Sequence, residues 1–261
     1  MNCFEYEALP ALTYNNTKYV LMDRNLWARI AWDGSNLVWD YYGYYYQWWN
    51  NWWFSDKTIR WNVWKVLSTD IPSNYVSSIW STNSSWNSND NLWWWTSSIV
   101  SDRQWPCPSW WHVPSYLEWR YIRYSWCTLN WDEEQCSKWQ EFKKDLKMPA
   151  AGFRKCETLG FNNSDEGKYW SSSSTSSTFP RFVRIISNGI SPDSTASRGD
   201  GLSVRCLMND PKTLTFNLNG WTWVNEINVP SWTKATAPAN PTNGDKTFAG
   251  WYTSTDSGTT L

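Results

Sequence analysis

The chain has 261 residues, a formal net charge of -1 and a pI near 5.9. That length accommodates one large domain and a small one, and the near-neutral charge excludes an electrostatic nucleic-acid binder. No apolar run approaches the ~18 residues that a membrane-spanning helix needs, so no membrane span is expected.

The first ten residues, MNCFEYEALP, carry neither a basic stretch nor an apolar one, so no signal peptide is legible. Export would require a signal already removed or lying outside this sequence. Helix formers are sparse and Trp, Tyr, Ser, Asn and Thr abound, which favours short strands and long polar loops. The six cysteines (Cys3, Cys107, Cys127, Cys136, Cys156 and Cys206) contain no CxxC pair, so a zinc site is not expected and an oxidising compartment is compatible. Six cysteines allow about 15 full pairings, and spacing does not choose among them. Trp is abnormally frequent, at 26 residues against only 12 Gly.

In chain order, residues 13–28 read as a hairpin turning at Asn15-Asn16, followed by the apolar run Tyr19 to Met22. Residues 39–54 are aromatic throughout, with Gly43 the only small residue, and read as core; a stacking platform for sugars is the other reading. Residues 81–91 form a polar loop. Pro114-Ser115 opens a helix, with Ser115 and Glu118 as a capping box and Leu117, Tyr121 and Ile122 as its apolar stripe. A second helix is expected over 131–147, with Trp139, Phe142 and Leu146 on one face. KYW at 168–170 is strand-like and precedes a Ser/Thr run at 171–178. FVRII (182–186) and LSVRCL (202–207) read as core strands. Asn209-Asp210-Pro211 breaks the pattern and divides a domain at 1–209 from one at 210–261. The last segment opens with LTFNLNG (214–220), an alternating strand running into a turn, and reads as a repeat cut short.

CPSWWHVPSYLEW (107–119) resembles the signature of the Fibrobacter-type major paralogous domain family. LMDRNLWA, YGYYYQW, LKMPAAGFR, KYWSSSS and LSVRCL extend the resemblance over about residues 14–208. The family is similar to C-type-lectin-like and formylglycine-generating-enzyme-like folds. The resemblance therefore implies an α+β domain of two helices, a small twisted antiparallel sheet and long loops. It makes Trp111, His112, Pro114, Glu118, Trp119, Trp170 and Arg205 signature residues of structural role. It also makes Cys107 and Cys206 the family-typical cysteines, whose disulfide would stabilise the domain by roughly 4 kcal/mol. Cys127 and Cys136 are a second candidate pair. Residues 213–251, through F-x-L-N-G, A-P-x-x-P-T and F-A-G-W-Y, resemble the Listeria–Bacteroides repeat (the internalin B-repeat). That is a β-grasp-like module of bacterial surface proteins, present here as an incomplete copy.

The departures share one pattern. Trp110 and Trp221 stand where the two families carry Gly, and Trp49, Trp94, Trp95 and Trp105 stand where a tight-turn Gly is natural. We read these six as glycine positions whose UGA codons have been translated as Trp. Genuine Trp for stacking on sugars is the competing reading.

The chemistry-bearing residues read more simply as structure. His112 is the only histidine and lies just before a helix cap. Asp132, Glu133 and Glu134 complement a helix N-terminus, and Asp165-Glu166 sits in a polar loop. Asn87, Asn89 and Asp90 do not make a calcium site. Arg198-Gly199-Asp200 spells an integrin-binding tripeptide by chance. Lys143, Lys144, Lys147, Arg154 and Lys155 form a solvated basic side. No catalytic residue, metal or cofactor is expected. The expected function is a secreted or cell-surface bacterial binding or adhesion module, its unknown protein or glycan ligand meeting loops 81–92, 171–178 and 187–201. A formylglycine-generating-type or carbohydrate-active enzyme is one alternative, and a structural envelope spacer is another.

Overall fold

The computed structural model describes residues 6–35, 39–48, 103–104, 106–126, 139–155, 161–162, 166–175, 179–186, 189–218, 226–231 and 240–251. The chain divides into two compact units, Met1–Asn209 and Asp210–Leu261. The first mixes helix with short strands and is α+β.

Its N-terminal hairpin pairs β1 (Leu12–Tyr14) with β2 (Thr17–Tyr19). Asn15 and Asn16 turn it with φ of 47° and 60°, the doubly left-handed geometry of a type I′ turn that matches the strand twist. A 3-10 turn at Trp39–Tyr41 leads to β3 (Tyr45–Gln47). Further along come β4 (Trp111–His112), α1 (Tyr116–Trp126) and α2 (Trp139–Asp145). The remaining strands of this unit are β5 (Phe153–Arg154), β6 (Phe161–Asn162), β7 (Gly167–Ser174), β8 (Pro180–Ile186), β9 (Gly189–Thr195), β10 (Gly201–Ser203) and β11 (Leu207–Met208).

Among the described residues a seven-stranded sheet runs β6-β5-β10-β7-β8-β9, with β3 also on β10. All its pairings are antiparallel except β10 with β7. Successive side chains of a strand point to opposite faces, so β7 and β8 feed two cores. Tyr169, Val183 and Ile185 meet Trp119 and Ile122 of α1 and Phe142 and Leu146 near α2. Trp170 and Phe182 point the other way, to Tyr46, Trp48, Leu202 and the two sulfurs of Cys107 and Cys206. The aromatic run is core where it is described, since Tyr41, Tyr42, Tyr45, Tyr46 and Trp48 are buried. Gly43 has φ of 72°, and a Cβ there would lie 2.4 Å from the Leu26 carbonyl oxygen, so the run needs its one glycine.

Several expectations are corrected. Leu117 is exposed, and the buried stripe of α1 is Trp119 and Ile122; two residues of helix place Leu117 about 200° from Trp119, on the solvent side. LSVRCL is not one strand. β10 ends at Ser203 and β11 starts at Leu207 in a different sheet, because Val204 to Cys206 turn to meet the N-terminal segment. The first half of the Ser/Thr run, Ser171 to Ser174, belongs to β7, with Ser171 and Ser172 buried. Much of the 187–201 connection is β9. Lys143 and Arg154 are buried, as is Glu166, which pairs with Arg184 at 2.6 Å. The 81–92 loop, the 131–138 start of the second expected helix and the calcium-ligand candidates Asn87, Asn89 and Asp90 lie outside the described residues.

The second unit opens with β12 (Pro211–Thr215) paired antiparallel to β13 (Glu226–Pro230). The strand thus starts at Pro211, before the expected LTFNLNG. Phe216 and Phe248 pack on Trp251, with ring centroids 4.8 and 5.1 Å apart, and give this small unit its apolar centre.

Candidate functional site

The signature stretch builds one connected cluster around the start of α1. Ser115 caps the helix: its hydroxyl accepts from the Glu118 amide at 3.2 Å, and Glu118 Oε2 accepts from the Ser115 amide at 2.6 Å. That reach-back turns the carboxylate inward. Arg103 Nη1 donates to Glu118 Oε2 at 2.6 Å, and His112 Nε2 lies 3.1 Å from Oε1. His112 Nδ1 in turn faces Asn209 Oδ1 at 2.6 Å. Burial alone would raise the Glu118 pKa, but the hydrogen bonds and charges of His112 and Arg103 outweigh it and hold the carboxyl well below its usual range. The group is an ionised, fully engaged carboxylate, committed to joining β4, β11 and α1.

Pro114, buried, completes the entry to α1. Its carbonyl accepts from the Ser172 amide at 2.9 Å, and the Tyr116 amide donates to Ser173 Oγ at 3.0 Å. Trp119 donates from its indole to the Trp170 carbonyl, and Trp170 from its own to the Tyr46 carbonyl at 2.6 Å. Trp111 is buried beside them. The Trp119 and Trp170 indoles combine a large apolar area with a satisfied N–H, the condition under which Trp is tolerated inside.

Arg205 forms a second, separate cluster. Its guanidinium donates to Asn25 Oδ1 and to the carbonyls of Met22, Leu146 and Lys147, at 2.6 to 3.2 Å. Two of these carbonyls sit at the C-terminal end of α2, where a cation complements the helix dipole. Burial pushes the Arg205 pKa down to about 10, with Tyr169 and Asp23 acting in the opposite direction, so it remains charged at neutral pH.

Cys107 and Cys206 are joined in a disulfide spanning 99 residues. Cys127 and Cys136 lie outside the described residues, as do Trp49, Trp94, Trp95, Trp105 and Trp221. Trp110 is described: it is exposed, with φ of 69°. Among the described residues no group of three or more His, Cys, Asp or Glu could hold a metal ion. No helix there is long and apolar enough to cross a membrane. Arg198 of the RGD tripeptide is buried with its guanidinium over the Trp48 ring, 5.3 Å from the centroid, rather than displayed.

Sequence reasoning missed Arg103 and Asn25, whose partners lie 15 and 180 residues away and leave no local signal. It read Asn209 only as a breaker, since its partner His112 lies 97 residues away. Exposed polar groups lie elsewhere, among them those where β7 ends and β8 begins. There the Ser174 and Thr175 hydroxyls both donate to the Phe179 carbonyl at 3.1 Å, and Phe179 is itself exposed.

The two units therefore differ in kind: an α+β unit tied by a disulfide and two buried ionic clusters, and a small β unit on a three-ring centre. Residues 213–261 of the small unit match the family model of the Listeria-Bacteroides repeat domain. No curated protein and no solved structure matches the chain.

Proposed function

We propose that this chain is a recognition module of a secreted or cell-surface bacterial protein, presenting polar loops on a C-type-lectin-like scaffold of the Fibrobacter-type major paralogous kind. The observation that carries the reading is the Listeria-Bacteroides repeat at 213–261, a module that the sequence resemblance associates with bacterial surface proteins. The Cys107–Cys206 disulfide supports an oxidising destination. Two helices against a mostly antiparallel sheet, with the signature residues engaged in holding the scaffold together, support the lectin-like assignment.

In this reading the scaffold is rigid and the tips bind. Thr175 at the end of β7 and Phe179 just before β8 are exposed polar and aromatic groups of that kind. The ligand is a protein or glycan on another surface, and no cofactor takes part. The test is binding of the full chain to glycan arrays and to intact cells. Specific, saturable binding that falls at least tenfold in Phe179→Ser, with the melting temperature unchanged, is expected. Failure to bind any glycan or cell surface would overturn the recognition reading in favour of a spacer.

A further inference from the structure

Two tryptophans occupy a backbone conformation that disfavours them. Trp27 has φ of 64° and Trp110 φ of 69°. Each is the third residue of a four-residue turn closed from the fourth amide to the first carbonyl: Ala28 to Asn25 at 2.9 Å, and Trp111 to Pro108 at 3.1 Å. The preceding residues, Leu26 and Ser109, are not among the positive-φ positions. One negative and one positive φ in that order define a type II turn, whose third residue is ordinarily glycine because a Cβ there crowds the backbone.

Their surroundings point the same way. Trp27 and Trp110 are 38% and 46% exposed, whereas Trp48, Trp119 and Trp170 are fully buried. Trp27 has its ring tilted against Tyr44 at 6.2 Å, and its amide donates to the Tyr6 hydroxyl at 2.9 Å. The amide bond is a backbone contact that glycine would keep. An indole at either turn thus incurs backbone strain while leaving a large part of itself in water.

We infer that positions 27 and 110 are glycine in the polypeptide made by the native host, encoded by UGA and decoded there as glycine. Position 110 is reached independently from the signature stretch; position 27 is reached from conformation alone. The imbalance of 26 Trp against 12 Gly is what such decoding would produce along a whole chain. The fully buried indoles Trp48, Trp119 and Trp170 remain tryptophan in this account, encoded by UGG. The inference is independent of the recognition reading and stands or falls apart from it.

Two measurements test it. The first reads codons 27 and 110 in the gene, together with the corresponding peptides of the protein purified from native cells by tandem mass spectrometry. UGA and glycine at both positions are expected; UGG or a tryptophan-containing peptide at either overturns the inference for that position. The second compares W27G and W110G with W27A and W110A in the full chain by urea denaturation. Each glycine variant is expected to gain roughly tenfold in the folded-to-unfolded ratio over the alanine variant at the same site. Equal stability of the glycine and alanine variants would overturn the claim that these turns are built for glycine.

Discussion

Glu118 shows how much one side chain can be asked to do. It closes the cap of α1, neutralises Arg103 and orients His112, and it is held ionised inside the protein. Because its folded pKa is depressed, its contribution is fully present above its unfolded value near 4.5 and is lost as pH falls below that. The urea midpoint of the natural chain should therefore drop from about pH 5 downward, and Glu118→Gln should flatten that limb. At neutral pH the same variant should cost about 3–5 kcal/mol, because it leaves a buried guanidinium without its counter-charge. Arg205 is the parallel case with a cation. Arg205→Met should cost about 3–5 kcal/mol by chemical denaturation, since the carbonyls of Met22, Leu146 and Lys147 lose their donor. Arg205→Lys should recover only part of that, because one ammonium cannot reproduce a planar fork.

At the scale of elements, ends and turns decide more than propensity does. α2 ends in a Schellman motif: the Met148 amide reaches the Lys143 carbonyl at 2.8 Å, and the Lys147 amide reaches Lys144 at 3.0 Å. Lys147 holds the left-handed position with φ of 49°. Lys147→Gly should stabilise the chain by about 1 kcal/mol in thermal melts, because only the backbone of Lys147 serves as the Arg205 acceptor. The hairpin turn at Asn15-Asn16 and the capping box at Ser115 were legible because their chemistry is local: the residues that specify them also form them. The stripe of α1 was misread at Leu117 because periodicity gives spacing and not the direction of the partner. β1, β7 and β8 pack against Trp119 and Ile122, and nothing within the helix announces that.

For the whole molecule, the disulfide joins the link between β10 and β11 to the approach to β4, closing a loop of 99 residues. Replacing Cys107 and Cys206 together with Ser should lower stability by about 4 kcal/mol in the chain-entropy view, and a reductant should lower the melting temperature of the natural chain by more than that of the variant. The two units, Met1–Asn209 and Asp210–Leu261, each carry an apolar centre of their own. By itself the sequence determined what short-range chemistry specifies, the two-residue turn and the helix cap, while motif resemblance carried the α+β mixture and the Listeria-Bacteroides repeat. Tertiary structure alone decided which side of α1 is buried, that LSVRCL divides between two sheets, and that Lys143, Arg154, Glu166 and Arg198 lie inside. Burial of a charge depends on partners brought from distant segments, and no local pattern encodes those partners.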